Sequence, residues 1–237
     1  MLELISALLG AVIIAIVSVA GFQFAKTKLI DAKQLSTTDP KLAQNSEAVT
    51  NPENKTVGMK PPVSLIVMTT LCAVVWIVSS LLHDYELWRQ IFNLCLAVFM
   101  TILSAFDYEY KKVPNRVLWM MLIVYVFAAG IYVLSDIANG LAFVFSSVAG
   151  SLFAGISFLL CYLISKRQLG GGDVKLAFLL GLYLGGGRIF GAIIYGILCC
   201  FVYSVVQLCR HKLGLRDGVP LVPFLYLGIL ITFIITG

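Results

Sequence analysis

The chain has 237 residues, 60% of them hydrophobic and 12% charged, with a mean hydropathy of +0.97. So apolar a composition excludes a water-soluble globule, and the length exceeds a single membrane span. The net charge of +5 does not point to nucleic acid, because the basic residues stand in small groups between apolar runs and form no stripe with interleaved aromatics.

The first apolar run, residues 4–24, carries no charge and is long enough to cross a hydrocarbon core of roughly 30 Å. It has no basic leading region or small-residue cleavage site, so it is expected to be a retained span. Lys26 and Lys28 end it. Residues 31–62 then turn polar, with prolines at 40, 52, 61 and 62 and neither a helical nor a strand period, which predicts a loop. Further apolar runs cover 63–82, 91–110, 117–134, 141–165, 173–184, 189–208 and 221–235. The expected fold is therefore all-α, a polytopic membrane helix bundle of about eight transmembrane helices. Residues 1–90 read as an N-terminal two-span region with a cytoplasmic loop over 25–62, and residues 91–237 as a six-span core. Short connections make sequential helices antiparallel neighbours. The run over 173–184 is the shortest, rising only about 18 Å at 1.5 Å per residue.

The positive-inside rule orients the bundle. Of the 17 basic residues, 15 fall in the first, third, fifth and seventh connections, and only Arg89 and Arg188 fall on the other side. The chain is thus expected to keep both termini extracytoplasmic. The six cysteines lie within or at the ends of apolar runs and include no CxxC pair, which favours packed apolar thiols over a zinc site. His83 and His211 fall in connections on opposite sides, so they do not form a shared metal site. Trp76, Trp88 and Trp119 lie in or near span ends, where interfacial anchoring is the ordinary explanation.

Two acids stand out against this background. Asp107 closes a span running toward the cytoplasm, and Asp173 opens one running away from it, directly after Gly170-Gly171-Gly172. A carboxylate within a span is costly, and its default reading is functional. The same topology puts both at the cytoplasmic face, where packing of the third and sixth spans could join them. Two close carboxylates do not both ionise cheaply, so one would hold a proton while the other is charged, the arrangement with which aspartic proteases activate water. The plainer readings are a glycine connector before a helix-starting acid for Asp173, and an interfacial ion pair with Lys111 or Lys112 for Asp107. Glu109 could replace Asp107 as a catalyst only if it shared its face, and two residues on it lies about 200° around the helix.

Phe106-Asp107-Tyr108-Glu109-Tyr110-Lys111-Lys112-Val113-Pro114-Asn115 resembles the first active-site motif of the type IV prepilin peptidases, an aspartate shortly ahead of a hydrophobic-Pro-Asn. Gly170-Gly171-Gly172-Asp173-Val174-Lys175-Leu176 resembles their GxGD motif, and Pro220-Leu221-Val222-Pro223-Phe224 their C-terminal Pro-x-x-Pro-Phe segment. The resemblance covers roughly residues 91–237. It implies a membrane aspartic endopeptidase that removes the leader from type IV prepilins or related pseudopilins at the cytoplasmic face of a bacterial-type inner membrane. It implies Asp107 and Asp173 as the catalytic pair, with Pro114, Asn115, Gly170, Gly172 and Lys175 as motif residues that shape the site. The implied partners are a prepilin or pseudopilin N-terminal segment and the lipid bilayer, and no metal or organic cofactor is needed. Many bacterial members carry a cytoplasmic domain with two CxxC pairs and also methylate the new N-terminus. Here the loop over 26–62 holds no cysteine, which implies the form lacking that domain and counts against methyl transfer. The competing class is a proton- or ion-coupled transporter using the same carboxylates, although no internal repeat is evident and both acids sit at one face rather than at the midplane.

Overall fold

The computed structural model describes residues 9–23, 63–82, 87–111, 113–164, 170–210 and 219–236. All the regular structure among them is helical, because apolar runs in a medium without water must satisfy their backbone groups internally. The helices are α1 (Leu9–Gln23), α2 (Val63–Leu82), α3 (Leu87–Tyr110), α4 (Asn115–Ser135), α5 (Ile137–Ile164), α6 (Gly171–Cys209) and α7 (Val222–Thr236). Five of them, α2 to α6, are long and apolar enough to cross a membrane, while α1 and α7 are shorter apolar helices. The expected polytopic helical bundle is what the chain forms. The polar loop over 25–62 and both histidines lie outside the described residues.

The centre of the bundle is α3, whose buried face includes Phe92, Leu96, Met100, Leu103 and Phe106, together with α7, buried from Val222 to Tyr226. Around them α4, α5 and much of α6 turn large apolar side chains outward, among them Phe127 at 70% exposure and Phe145 at 74%, as a lipid solvent requires. Helix α2 is tied to α7 by two long-range hydrogen bonds: Ser79 Oγ donates to Phe233 O at 2.8 Å, and Tyr226 Oη to Met68 O at 2.7 Å. Helix α1 packs through Phe22 on Phe106 and through Gly10 on the Trp76 indole. Trp76 is accordingly buried, where interfacial anchoring was expected. Trp88 instead stacks on Tyr132 near the start of α3, and Trp119 is exposed on α4.

Two of the expected connections differ. Residues 135–140 read as a break between spans, but Asp136 alone separates α4 from α5. Its N–H closes α4 on Tyr132 O, and its carboxylate accepts from the Asn139 N–H and side-chain amide, capping α5. Those Asn139 donors hold the Asp136 carboxyl below its ordinary range. The sixth and seventh runs, by contrast, have no loop between them. They form one 39-residue element broken at Gly185, which has φ +70° and ψ 174°.

That break turns the chain back. The first arm, residues 171–184, leaves the end of the bundle that carries Asp107 and the start of α7. The second arm, residues 186–209, packs antiparallel on α7, with Gly191 beside Thr232, Gly196 against Leu225 and Tyr203 against Phe224. Its later residues therefore lie near the start of α7 again. The 14-residue first arm rises about 21 Å, short as expected, and the reversal keeps the remaining runs in their expected directions. Positive φ favours glycine at 185, since a Cβ there costs roughly 1–2 kcal/mol. Glycines also let the helices approach at the crossings. A Cβ on Gly181 would meet the backbone of Gly150 and Ser151, and one on Gly228 the Ala192 carbonyl.

Candidate active site

Asp107 sits in the last turn of α3. The helix closes there because Lys111 adopts a left-handed conformation (φ 49°) and returns its N–H to Asp107 O at 2.9 Å. The turn points the Asp107 side chain inward, where it is 6% exposed. Its Oδ2 accepts from Val222 N–H at 3.0 Å, and the neighbouring Leu221 N–H is also directed to the carboxylate. The first amides of a helix have no partner within it, and the positive end of the dipole favours an anion. Asp107 thus anchors the start of α7 to the end of α3.

Asp173 is the third residue of α6. Gly170 precedes the helix in extended conformation (φ −69°, ψ 135°), and Asp173 N–H donates to Gly170 O at 3.0 Å. The Asp173 carboxylate reaches back to the Gly170 N–H. This is the acid half of a capping box, with glycine where a serine or threonine would ordinarily stand.

The glycines divide by position. A Cβ on Gly170 would sit 3.1 Å from Asp173 Oδ2, and one on Gly172 would sit 3.0 Å from Val113 Cβ. A Cβ on Gly171 would meet nothing within 4 Å. The G-x-G-D spacing therefore has a local cause: the first glycine leaves room for the carboxylate and the second lets the 113–115 segment close on the turn.

The two carboxylates line one cavity of about 620 Å³, near enough for their charges to interact. Its wall is completed by the 170–172 turn, by Lys111, Val113 and Asn115 between α3 and α4, by Lys175, and by residues 219–221 ahead of α7. Lys175 Nζ donates to Asn115 Oδ1 across the mouth, a long contact at 3.4 Å. Pro114 starts α4 with φ −72°, and its carbonyl accepts from Val117 and Leu118 N–H. All the motif residues singled out in the sequence thus lie in or beside this one place. Glu109 does not belong to it: it accepts from Ser64 Oγ of α2 at 3.1 Å and is absent from the cavity wall.

Two features escaped the sequence. The α7 amides donating to Asp107 have no side-chain signature, although prolines at 220 and 223 do mark a helix start. The Lys175–Asn115 contact joins residues 60 apart, and neither residue alone implies it.

Comparison with known proteins places residues 94–205 in a match to the type IV leader peptidase family. The chain is 24% identical over 135 residues to the prepilin leader peptidase/N-methyltransferase of Bacillus subtilis (strain 168), a stretch covering 57% of this chain and 52% of the relative. The match thus spans about half the length of that curated relative. No solved structure matches the chain.

Proposed function

We propose, for a chain that belongs to the type IV leader peptidase family, that it is a membrane aspartic endopeptidase removing the leader of a type IV prepilin or pseudopilin at the cytoplasmic face. The observation that carries the reading is the meeting of three distant segments, the end of α3, the start of α6 and the start of α7, around one cavity holding two carboxylates.

In this mechanism Asp107 and Asp173 share one proton. The ionised member takes a proton from water as its oxygen attacks the scissile carbonyl carbon, and the protonated member donates to the carbonyl oxygen. The tetrahedral adduct then collapses: the C–N bond breaks, the leaving amine takes up a proton from the protonated member, and one hydroxyl of the adduct returns its proton to the ionised member, which regenerates the singly protonated pair and leaves a carboxylic acid. Gly170 and Gly172 keep the Asp173 turn tight, and the α7 amides hold Asp107 in place.

The cytoplasmic orientation rests on the 15 basic residues in the connections at this end, which also leaves both termini outside. The peptidase core is residues 91–237, with residues 1–90 as an accessory two-span region. A transporter reading is disfavoured because the acids sit at helix ends rather than mid-span. The name of the Bacillus relative includes methyl transfer, whereas the cysteine-free stretch over 26–62 counts against that activity here, so the reading proposed is the proteolytic one.

The test is to co-express the chain with a prepilin and follow leader removal by wild type and Asp173→Asn. Unprocessed prepilin should accumulate with the variant. Full processing by Asp173→Asn would overturn the dyad.

A further inference from the structure

A second cavity, of about 470 Å³, lies between α4, α5 and the first arm of α6. It adjoins the aspartate cavity, because Asn115 and Lys175 line both. From those two residues it runs along three helical stripes. On α4 these are Leu118, Trp119 and Leu122; on α5, Leu152, Ile156 and Leu159. The α6 stripe continues from Val174 to Phe178, whose ring packs against Gly155. Apart from Asn115 and Lys175 the wall is glycine and apolar side chains, and Trp119 (65% exposed) and Ile156 (53%) open it to the surroundings.

We infer that this groove receives the membrane-embedded apolar segment of the peptide substrate, adjoining the scissile bond. The inference rests on the peptidase reading above. A lipid chain would need only the apolar walls. A peptide has a further requirement, since a proteolytic site needs its backbone extended, and amides freed from a helix at the membrane boundary need hydrogen-bond partners. The groove meets this need at its polar end, where the Asn115 amide and the Lys175 ammonium stand between the apolar stripes and the two carboxylates. The apolar segment lies in the groove as a helix, unwinds beneath Asn115 and Lys175, and crosses the aspartate cavity as a strand. Its volume falls within the range of roughly 300–1,000 Å³ usual for ligand pockets.

The experiment uses the full chain in membrane vesicles with co-expressed prepilin. A photoreactive Trp119→benzoylphenylalanine variant should cross-link to prepilin, whereas Leu198→benzoylphenylalanine, exposed on the second arm of α6 away from the groove, should not. Ile156→Trp, which fills the groove from an exposed position, should raise KM for the prepilin by about tenfold, the scale of a lost apolar pocket contact, with little change in kcat. Capture of phospholipid alone at position 119, or an unchanged KM for Ile156→Trp, would overturn the groove assignment. Neither result bears on the dyad, which stands or falls with Asp173→Asn.

Discussion

Asp107 is asked to do two things, and a pair of substitutions separates them. Alanine at 107 removes the acceptor of the Val222 N–H, which is 3.0 Å from Oδ2 in a buried position. Losing a helix cap costs about 0.5–2 kcal/mol, and a buried amide left unpaired costs about 1–3 kcal/mol. These describe the same loss from two sides, so Asp107→Ala should lower stability by about 1–3 kcal/mol and loosen the start of α7. Asparagine has nearly the same shape and keeps a carbonyl oxygen facing Val222, so α7 should remain anchored. It cannot exchange a proton with water or substrate, and the cleavage rate should fall by about 100- to 10,000-fold. Thermal unfolding in detergent, beside the rate of leader removal from purified prepilin, reads both effects. The expected pattern is loss of stability and cleavage for Asp107→Ala and loss of cleavage alone for Asp107→Asn. Cleavage by the asparagine variant within about tenfold of wild type would refute proton transfer at 107 and leave only the anchor.

Two further outcomes follow from the geometry. Gly185→Ala puts a side chain on a residue with φ +70° and a Cβ 2.9 Å from Ser146 Oγ, so it should lower the unfolding free energy by about 1–2 kcal/mol, measured by thermal melting. An unchanged melting temperature would mean that the reversal tolerates an ordinary residue. Glu109→Gln should leave leader removal within about twofold of wild type, as expected for a group outside the cavity, and a large loss in the same cleavage assay would contradict its placement beside Ser64.

Much of the site is legible in the sequence because charge is scarce there. An acid inside or at the edge of an apolar run stands out by its cost, and the distribution of basic residues assigns Asp107 and Asp173 to one end of the bundle before any contact is known. Backbone partners are not legible in this way. The Val222 amide that holds Asp107 belongs to every residue type but proline, so nothing in the letters at 221–222 announces it. The α4–α5 joint misleads for a related reason. Asp136 and Asn139 have the composition of a loop, yet they act as caps, and the helices run right up to them. Gly185-Gly186-Gly187, between the apolar runs over 173–184 and 189–208, suits a helix that continues as well as one that turns back. Which of the two it is depends on α7, about 40 residues further on, whose packing draws the second arm back.

The loop-free reversal at Gly185 also bears on how the protein enters its membrane. Two spans separated by a polar connection can be delivered one after the other, with the connection waiting in water. Residues 171–209 offer no such pause, since the arms meet at a single glycine. The pair is therefore expected to enter the bilayer as one helical hairpin, carrying Asp173 with it. A substitution that stalled this hairpin would keep Asp173 from the cavity it lines with Asp107 during biogenesis, before any folded site exists to be damaged.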